Sequence, residues 1–437
     1  MLQSLQSIFR IPELRRRIVW TMGLLVVYRL GGHIPTPGVD GAALTSFFAS
    51  QGQNTLFQLY DLFVGGNFSK ATIFALGIMP YISASIILQL FGAVIPYFER
   101  LQKEGEEGQK RITQYTRYGT VALSIIQSLG ISIFLENLNT QMPHPIIPSP
   151  GFGFRMLCVL TMTSGTIFIM WLGEMITERG IGNGISLIIF IGIVARTPNE
   201  LLNTYQAVAN RALSPIVLFG LVVFMLVVTA VVVMFTQGQR KVPVQYAKRI
   251  VGRKMYGGQS THIPLRVTTA GVIPIIFAQS IVIFPATVAA FFPNNEFMQQ
   301  IHEIFSPGRP IYIVAYALMI LFFTYFYTAI VVNPVDMAEN MKKYGGFVPG
   351  IQPGKHTAEY IDRILLRITL PGAIFLAIIA VLPDLLMRNF NVPFYFGGTT
   401  LLIVVGVALD TLQQIESHLL MRHYDGFMKK GRLRARR

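Results

Sequence analysis

The chain has 437 residues, of which 52% are hydrophobic and only 13% are charged, and its formal net charge is +15. This composition is typical of a protein that crosses the membrane several times, and it excludes an ordinary water-soluble fold. The single cysteine, Cys158, lies in an apolar run, so the sequence excludes a disulfide framework and a cysteine metal cluster. We expect no metal site and no cofactor.

The N-terminal residues predict a surface helix followed by a first membrane span. The apolar residues among positions 2 to 9 share one helical face that ends before Pro12, and the basic run Arg15 to Arg17 follows. Such a segment suits a membrane surface of anionic lipids. The apolar run from Ile18 to Leu30 has no small-residue cleavage site after it, so we interpret it as a span and not as a signal peptide.

The stretch from Phe57 to Phe98 predicts a re-entrant segment that leads into a full span. Its first part, Phe57 to Val64, stops at two glycines and is too short to cross a bilayer, which takes about 20 apolar residues. Its second part, Ala71 to Phe98, contains no charged side chain and is long enough to cross the bilayer. Because lipid cannot satisfy free backbone groups, an interrupted segment of this kind indicates a pathway through the protein.

Eight further apolar runs predict eight more spans, so the chain should cross the membrane ten times. They are residues 118–135, 156–173, 181–202, 213–235, 267–292, 311–332, 368–387 and 397–412. Of the 36 lysines and arginines, 29 fall in the two tails and in alternate connections. This bias predicts that both termini, and the long loops 236–266 and 333–367, are cytoplasmic.

The central parts of the ten expected spans contain no Asp, Glu, Lys, Arg or His. Proton relays, ion-coupled transporters and intramembrane enzymes need ionisable groups at that depth, so the pattern disfavours these classes. It leaves a conduit with an apolar constriction, because a hydrophobic ring closes a pore by dewetting and needs no charge. The alternative is a small-solute secondary transporter with a hydrophobic gate.

Some residues within the spans allow two interpretations. Ile82 with Ile86, and Ile185 with Ile189, each share a helix face, but such pairs in an apolar helix usually contact lipid or pack against a neighbour. Uncharged polar residues within spans are more often interhelical hydrogen-bonding groups than transport sites. They are Gln89, Gln127 and Gln279.

The two long cytoplasmic loops are also ambiguous. Loop 236–266 carries seven basic residues and no acid, which fits either a solvated loop or a docking surface for an acidic protein face or structural RNA. Loop 333–367 contains two Pro-Gly turns, at Pro349 and Pro353, which favour a shaped finger over a flexible link.

Four motifs, in order along the chain, resemble the SecY family, the channel subunits of bacterial preprotein translocases. They are Gly77 to Ile86, Lys241 to Arg249, Ala270 to Pro274 and the turn region 346–357. The resemblance covers essentially the whole chain. It implies an all-α polytopic fold in which ten membrane helices form two pseudo-symmetric halves, 1–204 and 205–437, around an hourglass pore. The hinge would lie near Asn203 to Arg211.

The resemblance also implies a function and a set of partners. The chain would be a protein-conducting channel of the bacterial cytoplasmic membrane and not an enzyme. It would pass unfolded secretory polypeptides and release hydrophobic segments sideways into lipid. Its partners would be the small subunits SecE and SecG, the motor ATPase SecA, the ribosome, a translocating preprotein with its signal peptide, and anionic lipids, but no DNA.

Four sets of residues receive roles from the same resemblance. The pore ring would be Ile82, Ile86, Ile185, Ile189, Ile276 and Ile403. The plug, at about 57–67, would include Phe57, Tyr60, Leu62, Phe63, Val64, Gly65 and Gly66. The lateral gate, where the second and third spans face the seventh and eighth, would include Ser85, Gln89, Gln127 and Gln279. Docking of SecA or the ribosome would use Arg240, Lys241, Lys248, Arg249, Arg253, Lys254, Gln352 and Lys355.

One position departs from the family pattern. Gln352 stands where the family usually has arginine in the Pro-Gly-Ile-Arg-Pro-Gly turn. An uncharged amide cannot make the charge-assisted fork that a guanidinium makes with a carboxylate or phosphate. We therefore expect weaker coupling to a motor protein at this tip.

Overall fold

The computed structural model describes residues 11–50, 56–139, 145–210, 214–246, 249–251, 254–256, 260–268, 271–290, 295–306, 309–390 and 398–432. Helices dominate this part of the chain and overlap every predicted span, which confirms a mainly helical membrane protein. The helices up to residue 209 are α1 Pro12–Gly31, α2 Gly41–Ser50, α3 Leu56–Val64, α4 Met79–Val94, α5 Pro96–Lys103, α6 Glu106–Asn139, α7 Phe152–Arg179, α8 Gly184–Val194 and α9 Thr197–Ala209.

The rest of the chain adds helices and five short strands. The helices are α10 Pro215–Thr236, α11 Ile273–Ala290, α12 Glu296–Ile304, α13 Pro310–Val331, α14 Pro334–Lys343, α15 Lys355–Phe390 and α16 Gly398–Arg432. The strands are β1 Gln239–Tyr246, β2 Arg249–Val251, β3 Lys254–Tyr256, β4 Ser260–Arg266 and β5 Gly346–Phe347. The apolar pattern of the sequence did not predict these strands.

Seven helices among the described residues are long and apolar enough to cross a membrane, and the bent pair α4 and α5 raises this number to eight. The chain is therefore a multi-pass membrane protein. The apolar part of α11, Ile273–Ala289, is shorter than these. The expected number of ten spans is consistent with these helices and stays a prediction.

The second span begins later than the sequence predicted. Residues 71–78 form turns, and the Thr36 N–H and Ile73 N–H donate to the carbonyls of Ala71 and Ile34 at 2.8 and 3.0 Å. The helix starts only at Met79, since Pro80 lacks an N–H and fits the first turn of a helix. At its other end the chain bends by 97° between α4 and α5, immediately before Pro96.

Small residues bring the helices of the N-terminal region close together. On α6, hydroxyl residues recur at every fourth position and are buried, namely Thr116, Thr120, Ser124, Ser128 and Ser132. Each hydroxyl donates to a carbonyl of its own preceding turn, as Thr120 Oγ1 does to Thr116 O at 2.7 Å. The stripe therefore satisfies its own polar groups while its small volume permits close packing, as is common in membrane helices.

The described coordinates separate into two compact units. The first comprises Met1–Ala209, Ser280–Tyr312 and Val407–Arg437, and the second comprises Asn210–Gln279 and Ile313–Gly406. The boundaries run through α11 and α13, so this division does not test the halves 1–204 and 205–437, which stay a prediction. Of the expected hinge, Asn203 lies within α9 and Arg211 lies outside the described residues.

In the second unit, the two long loops join in one sheet with the order β4-β1-β5. Strand β1 pairs antiparallel with β4, from Gln239 opposite Arg266 to Gln245 opposite Ser260. It also pairs with β5, where Tyr246 lies opposite Gly346. We call β1 to β5, α14 and the first turns of α15 the loop module.

A small apolar core holds the loop module together. Val242 and Val244 are buried and alternate with exposed residues along β1, as a strand with one covered face requires. They pack with buried residues from both loops and from α15, namely Leu265, Met341, Val348, Ile361 and Leu365. Because this core draws on both loops, the described part of the module is folded structure and not a pair of solvated links.

Gly165 provides a test of the close approach between α7 and the turns that precede α4. A Cβ atom at this position would meet the backbone carbonyl of Ile73, which cannot move aside as a flexible side chain can. We expect Gly165→Ala to lower the free energy of unfolding by about 1–3 kcal/mol through overpacking. The measurement is thermal unfolding of the purified protein in detergent.

Gly153→Ala is the matched control on the same helix, because a Cβ there meets nothing within 4 Å. Equal melting temperatures for the two variants would contradict the assigned contact.

Candidate functional site

The segment predicted as a plug forms helix α3 in the first unit and is well covered. Phe57 lies in its first turn. The plug residues with described side chains at positions 60 to 64 are at most 7% exposed, and they include Tyr60, Leu62, Phe63 and Val64. Gly65 and Gly66 follow at φ values of 76° and 83°, the left-handed conformation that ends a helix at glycine. The plug segment is thus a short helix with a sharp end, as its length predicted.

Hydrogen bonds tie this helix to α1 and to the turns before α4. The Tyr60 hydroxyl donates to Leu76 O at 3.2 Å, and the Tyr28 hydroxyl donates to Val64 O at 3.3 Å. Asn67 Nδ2 donates to the same Val64 carbonyl at 2.7 Å. Burial, with a smaller contribution from the neighbouring Asp61 charge, raises the pKa of the Tyr60 hydroxyl, which therefore stays protonated and able to donate.

The sequence did not single out Asp61, a buried acid of this segment, because residues 57–64 are mainly apolar. Its Oδ1 accepts hydrogen bonds from the backbone N–H groups of Phe68 and Ser69, both at 2.9 Å. Its Oδ2 accepts from Arg196 Nη1 at 3.0 Å. The available signal was a lone carboxylate in an apolar re-entrant segment, which indicates a specific partner by default.

At the end of the plug segment, the backbone of Gly65 packs directly against the backbone of Gly192 on α8. A Cβ atom at Gly65 would lie 2.7 Å from the Cα of Gly192, closer than real atoms approach. A Cβ at Gly66, by contrast, would come no nearer than 3.9 Å, to Arg196 Cδ. The backbone contact therefore depends on Gly65 in particular.

The predicted pore-ring residues are mostly buried. Within the first unit, Ile82 and Ile86 lie one turn apart on α4, and Ile189 lies on α8, each at 3% exposure or less. Ile185, one turn before Ile189, is half-buried. In the second unit, Ile276 on α11 and Ile403 on α16 are 4% and 0% exposed. The burial suits apolar residues of a closed constriction, while the ring itself stays a prediction.

The predicted gate residues lie on three helices. On α4, Gln89 Nε2 donates to Ser85 Oγ one turn away at 3.1 Å. The side-chain oxygens of Gln89 and of Gln127 on α6 are buried, and neither has a hydrogen-bond partner among the described residues. Gln279 on α11 is buried in the second unit. Within the first unit, Ser280 Oγ on α11 donates to Met79 Sδ on α4 at 3.9 Å.

The predicted docking residues belong to the loop module as far as they are described. Arg240 and Lys241 are exposed on β1. Arg249 lies on β2 and Lys254 on β3, which pair antiparallel. Lys248 and Arg253 lie outside the described residues.

The tip of the loop module is built from two Pro-Gly turns. Gly350 and Gly354 have φ values of 80° and 98°, which only glycine adopts readily, and the Ile351 N–H donates to Val348 O at 3.1 Å. Thr357 Oγ1 donates to the carbonyl of Gln352 at 2.8 Å. The Gln352 and Lys355 side chains are exposed. The tip is therefore shaped, and it presents these two side chains to solvent.

Comparison with known proteins gives one consistent result. The family model of SecY matches residues 72–412. The chain is 47% identical to the protein translocase subunit SecY of Escherichia coli (strain K12), covering 97% of this chain and 96% of that protein. It is 44% identical to the SecY subunit of Aquifex aeolicus (strain VF5), covering 98% of this chain and 100% of that protein.

Solved structures share the fold at low sequence identity. A protein-conducting channel has a TM-score of 0.67 at 16% identity, covering 94% of this chain and 96% of that one. Sec61 from the canine ribosome-channel complex of the endoplasmic reticulum has a TM-score of 0.63 at 15% identity, with the same coverage.

The glycine contact predicts how firmly the plug segment is held. In a Cys158→Ser background with Leu62→Cys as a reporter, Gly65→Ala should raise the rate of maleimide labelling about tenfold. The physical reason is that overpacking against Gly192 costs about 1–3 kcal/mol, and about 1.4 kcal/mol corresponds to a factor of ten.

Gly66→Ala is the control, since it imposes the same left-handed backbone strain without the clash. The contact assigned to Gly65 is wrong if both variants label at the same rate.

Proposed function

This chain belongs to the SecY family and is a protein-conducting translocation channel, and from that premise we propose how its residues carry a polypeptide across the membrane. It passes unfolded secretory proteins across the bacterial cytoplasmic membrane and releases apolar segments sideways into lipid, and it hydrolyses nothing itself. The observation that carries this proposal is the absence of ionisable residues from the centres of its predicted spans. The relatives give no support to a small-solute transporter.

The pore ring closes around the chain that moves through it. Six isoleucines form an apolar gasket, which excludes ions by dewetting and grips no particular sequence because it offers no hydrogen bond or charge. The burial of five of them supports this role. At rest, the plug segment fills the outer funnel.

The lateral gate opens between the second and third spans on one side and the seventh and eighth on the other. The unpaired side-chain oxygens of Gln89 and Gln127 support a seam that is polar but uncharged. Such a seam separates at lower cost than a well-packed apolar interface. A docked partner and the apolar signal segment shift the population from the closed to the open arrangement.

The loop module docks the energy source. Its exposed basic residues suit an acidic protein face, for SecA, or phosphate groups, for the ribosome. The Sec61 structure that shares this fold comes from a ribosome-channel complex, which supports the second partner. The bias of positive charge places the module and both termini in the cytoplasm, next to anionic lipid.

The small subunits SecE and SecG complete the complex at the lipid-facing surface. Helix α10 supports this assignment because Val232 is its one buried residue among those described. An apolar helix so little covered by its own chain is available to lipid or to another membrane helix.

Loss of the gasket should make the resting channel leak. We expect the quadruple change of Ile82, Ile86, Ile276 and Ile403 to Ser to produce ion conductance in planar bilayers, because hydroxyls wet a constriction that isoleucine keeps dry.

The matched control changes four exposed span isoleucines to Ser, namely Ile87, Ile126, Ile216 and Ile378. A silent membrane with the first variant, or equal conductance with both, rules the ring out.

The uncharged tip should limit coupling to the motor. We expect Gln352→Arg to raise SecA-driven transport into reconstituted vesicles by about tenfold or more, since a hydrogen bond to a charged group contributes about 1.5–3 kcal/mol and about 1.4 kcal/mol corresponds to a factor of ten.

Gln109→Arg adds the same charge to another exposed cytoplasmic position and serves as the control. Rates that are equal to or below those of the unchanged chain would count against coupling at this tip.

A further inference from the structure

Among the described residues, Asp61 of the plug segment forms an ion pair with Arg196 that the channel mechanism above does not use. The side chains of Asp61 and Arg196 are 5% and 27% exposed, and their closest N–O distance is 3.0 Å. The two residues are 135 positions apart in the sequence, so the pair connects the plug segment to a distant part of the first unit.

Arg196 lies in the short break between two helices. Helix α8 ends at Val194, and α9 begins at Thr197, followed by Pro198, which lacks the N–H that an uninterrupted helix would use. The Arg196 N–H donates to Ile193 O at 3.1 Å, which closes the last turn before the break. The guanidinium therefore extends from the break between α8 and α9 to the plug segment.

Asp61 is held just as firmly on its own side. Because Oδ1 accepts two backbone N–H groups from the turn after the plug, the carboxylate has a single orientation, and Oδ2 faces Arg196. The Gly66 N–H also donates to the Asp61 carbonyl at 2.8 Å, which closes the turn. The ion pair thus forms only when the plug helix, the turn after it and the break between α8 and α9 are all in place.

The charges act differently in the closed and open states. In the closed state little water reaches the Asp61 carboxylate. Its charge is therefore compensated by the Arg196 guanidinium and not by solvent. When the segment leaves, water hydrates both groups, and the cost of separating them is limited. Removing only one partner has a larger effect, because it leaves an uncompensated charge in the closed state alone.

We propose that Asp61 and Arg196 form a charged latch, which holds the plug segment against the break between α8 and α9 and must separate before a polypeptide enters. This inference rests on the plug role proposed above. The latch slows opening more than it stabilises the closed state, because the attraction between the two charges is largely offset by their loss of hydration.

The test measures access to the plug segment in the resting complex. The full chain, purified with its small membrane subunits and reconstituted in vesicles, carries Leu62→Cys in the Cys158→Ser background and is labelled with a membrane-impermeant maleimide. Arg196→Gln should increase the labelling rate about tenfold or more, since it leaves the carboxylate buried without a countercharge. Asp61→Asn should have a smaller effect, because its amide oxygen still accepts the two N–H groups and Arg196 is partly hydrated.

The double variant Asp61→Asn with Arg196→Gln separates a latch from two independent effects. It should label more slowly than Arg196→Gln alone, because no charge is then left unpaired. Arg196→Lys keeps the charge and should label close to the rate of the unchanged chain. Arg155→Gln is the matched control, since it breaks the ion pair with Glu136, at 2.6 Å, away from the plug segment.

Two results would overturn the latch. In the first, the double variant labels at a rate that equals the product of the increases in the two single variants. In the second, Arg196→Gln labels at the same rate as Arg155→Gln.

Conductance of the same complexes distinguishes a failed latch from a failed plug. A chain lacking residues 57–67 should conduct ions at rest if the segment seals the pore. If that deletion conducts while Arg196→Gln neither labels faster nor conducts, the latch is wrong and the plug role stands. If Arg196→Gln labels faster but the deletion stays silent, the latch holds and the plug role fails.

Discussion

Lipid offers no hydrogen bonds, so every backbone N–H and carbonyl at bilayer depth must find its partner within the protein. This constraint accounts for two irregular segments of the first unit. The turns at 71–78 use the carbonyl of Ile34 and the N–H of Thr36, and the plug segment ends at Val64, whose carbonyl accepts from Tyr28 and Asn67. In both segments, neighbouring residues supply the partners that a continuous helix would supply itself.

The cost of burying a charge also explains where ionisable residues are absent from the predicted spans and where one of them has a partner. The predicted span centres carry no ionisable residue, which suits a pathway that must favour no particular passing sequence. In the plug region, Asp61 and Arg196 form an ion pair, so each of these two charges has a partner. The proposed apolar constriction and the proposed charged latch would have different functions: the first would exclude ions, and the second would distinguish the closed from the open state.

Outside the membrane, a different interaction organises the chain. The loop module is held by a small apolar core around Val242 and Val244, to which both long loops and α15 contribute. Strand β1 is shared, since it pairs with β4 of its own loop and with β5 of the other. A proposed partner that displaces one loop would therefore displace the other as well. Because α15 belongs to the same core and continues into a candidate membrane span, the displacement would also reach that span.

The sequence by itself determined the membrane class, the positions of the apolar helices, the expected orientation and the family, because hydropathy, charge bias and motifs are properties of consecutive residues. It also located the short helix α3 through the length of its apolar run and the two glycines that end it. It did not predict the late start of α4, the strands of the loop module or the partner of Asp61. These depend on residues far apart in the chain, such as Asp61 with Arg196 or Tyr246 with Gly346, which only folding brings together. Local pattern decides what kind of element each segment forms, whereas the tertiary structure decides which buried polar groups satisfy one another.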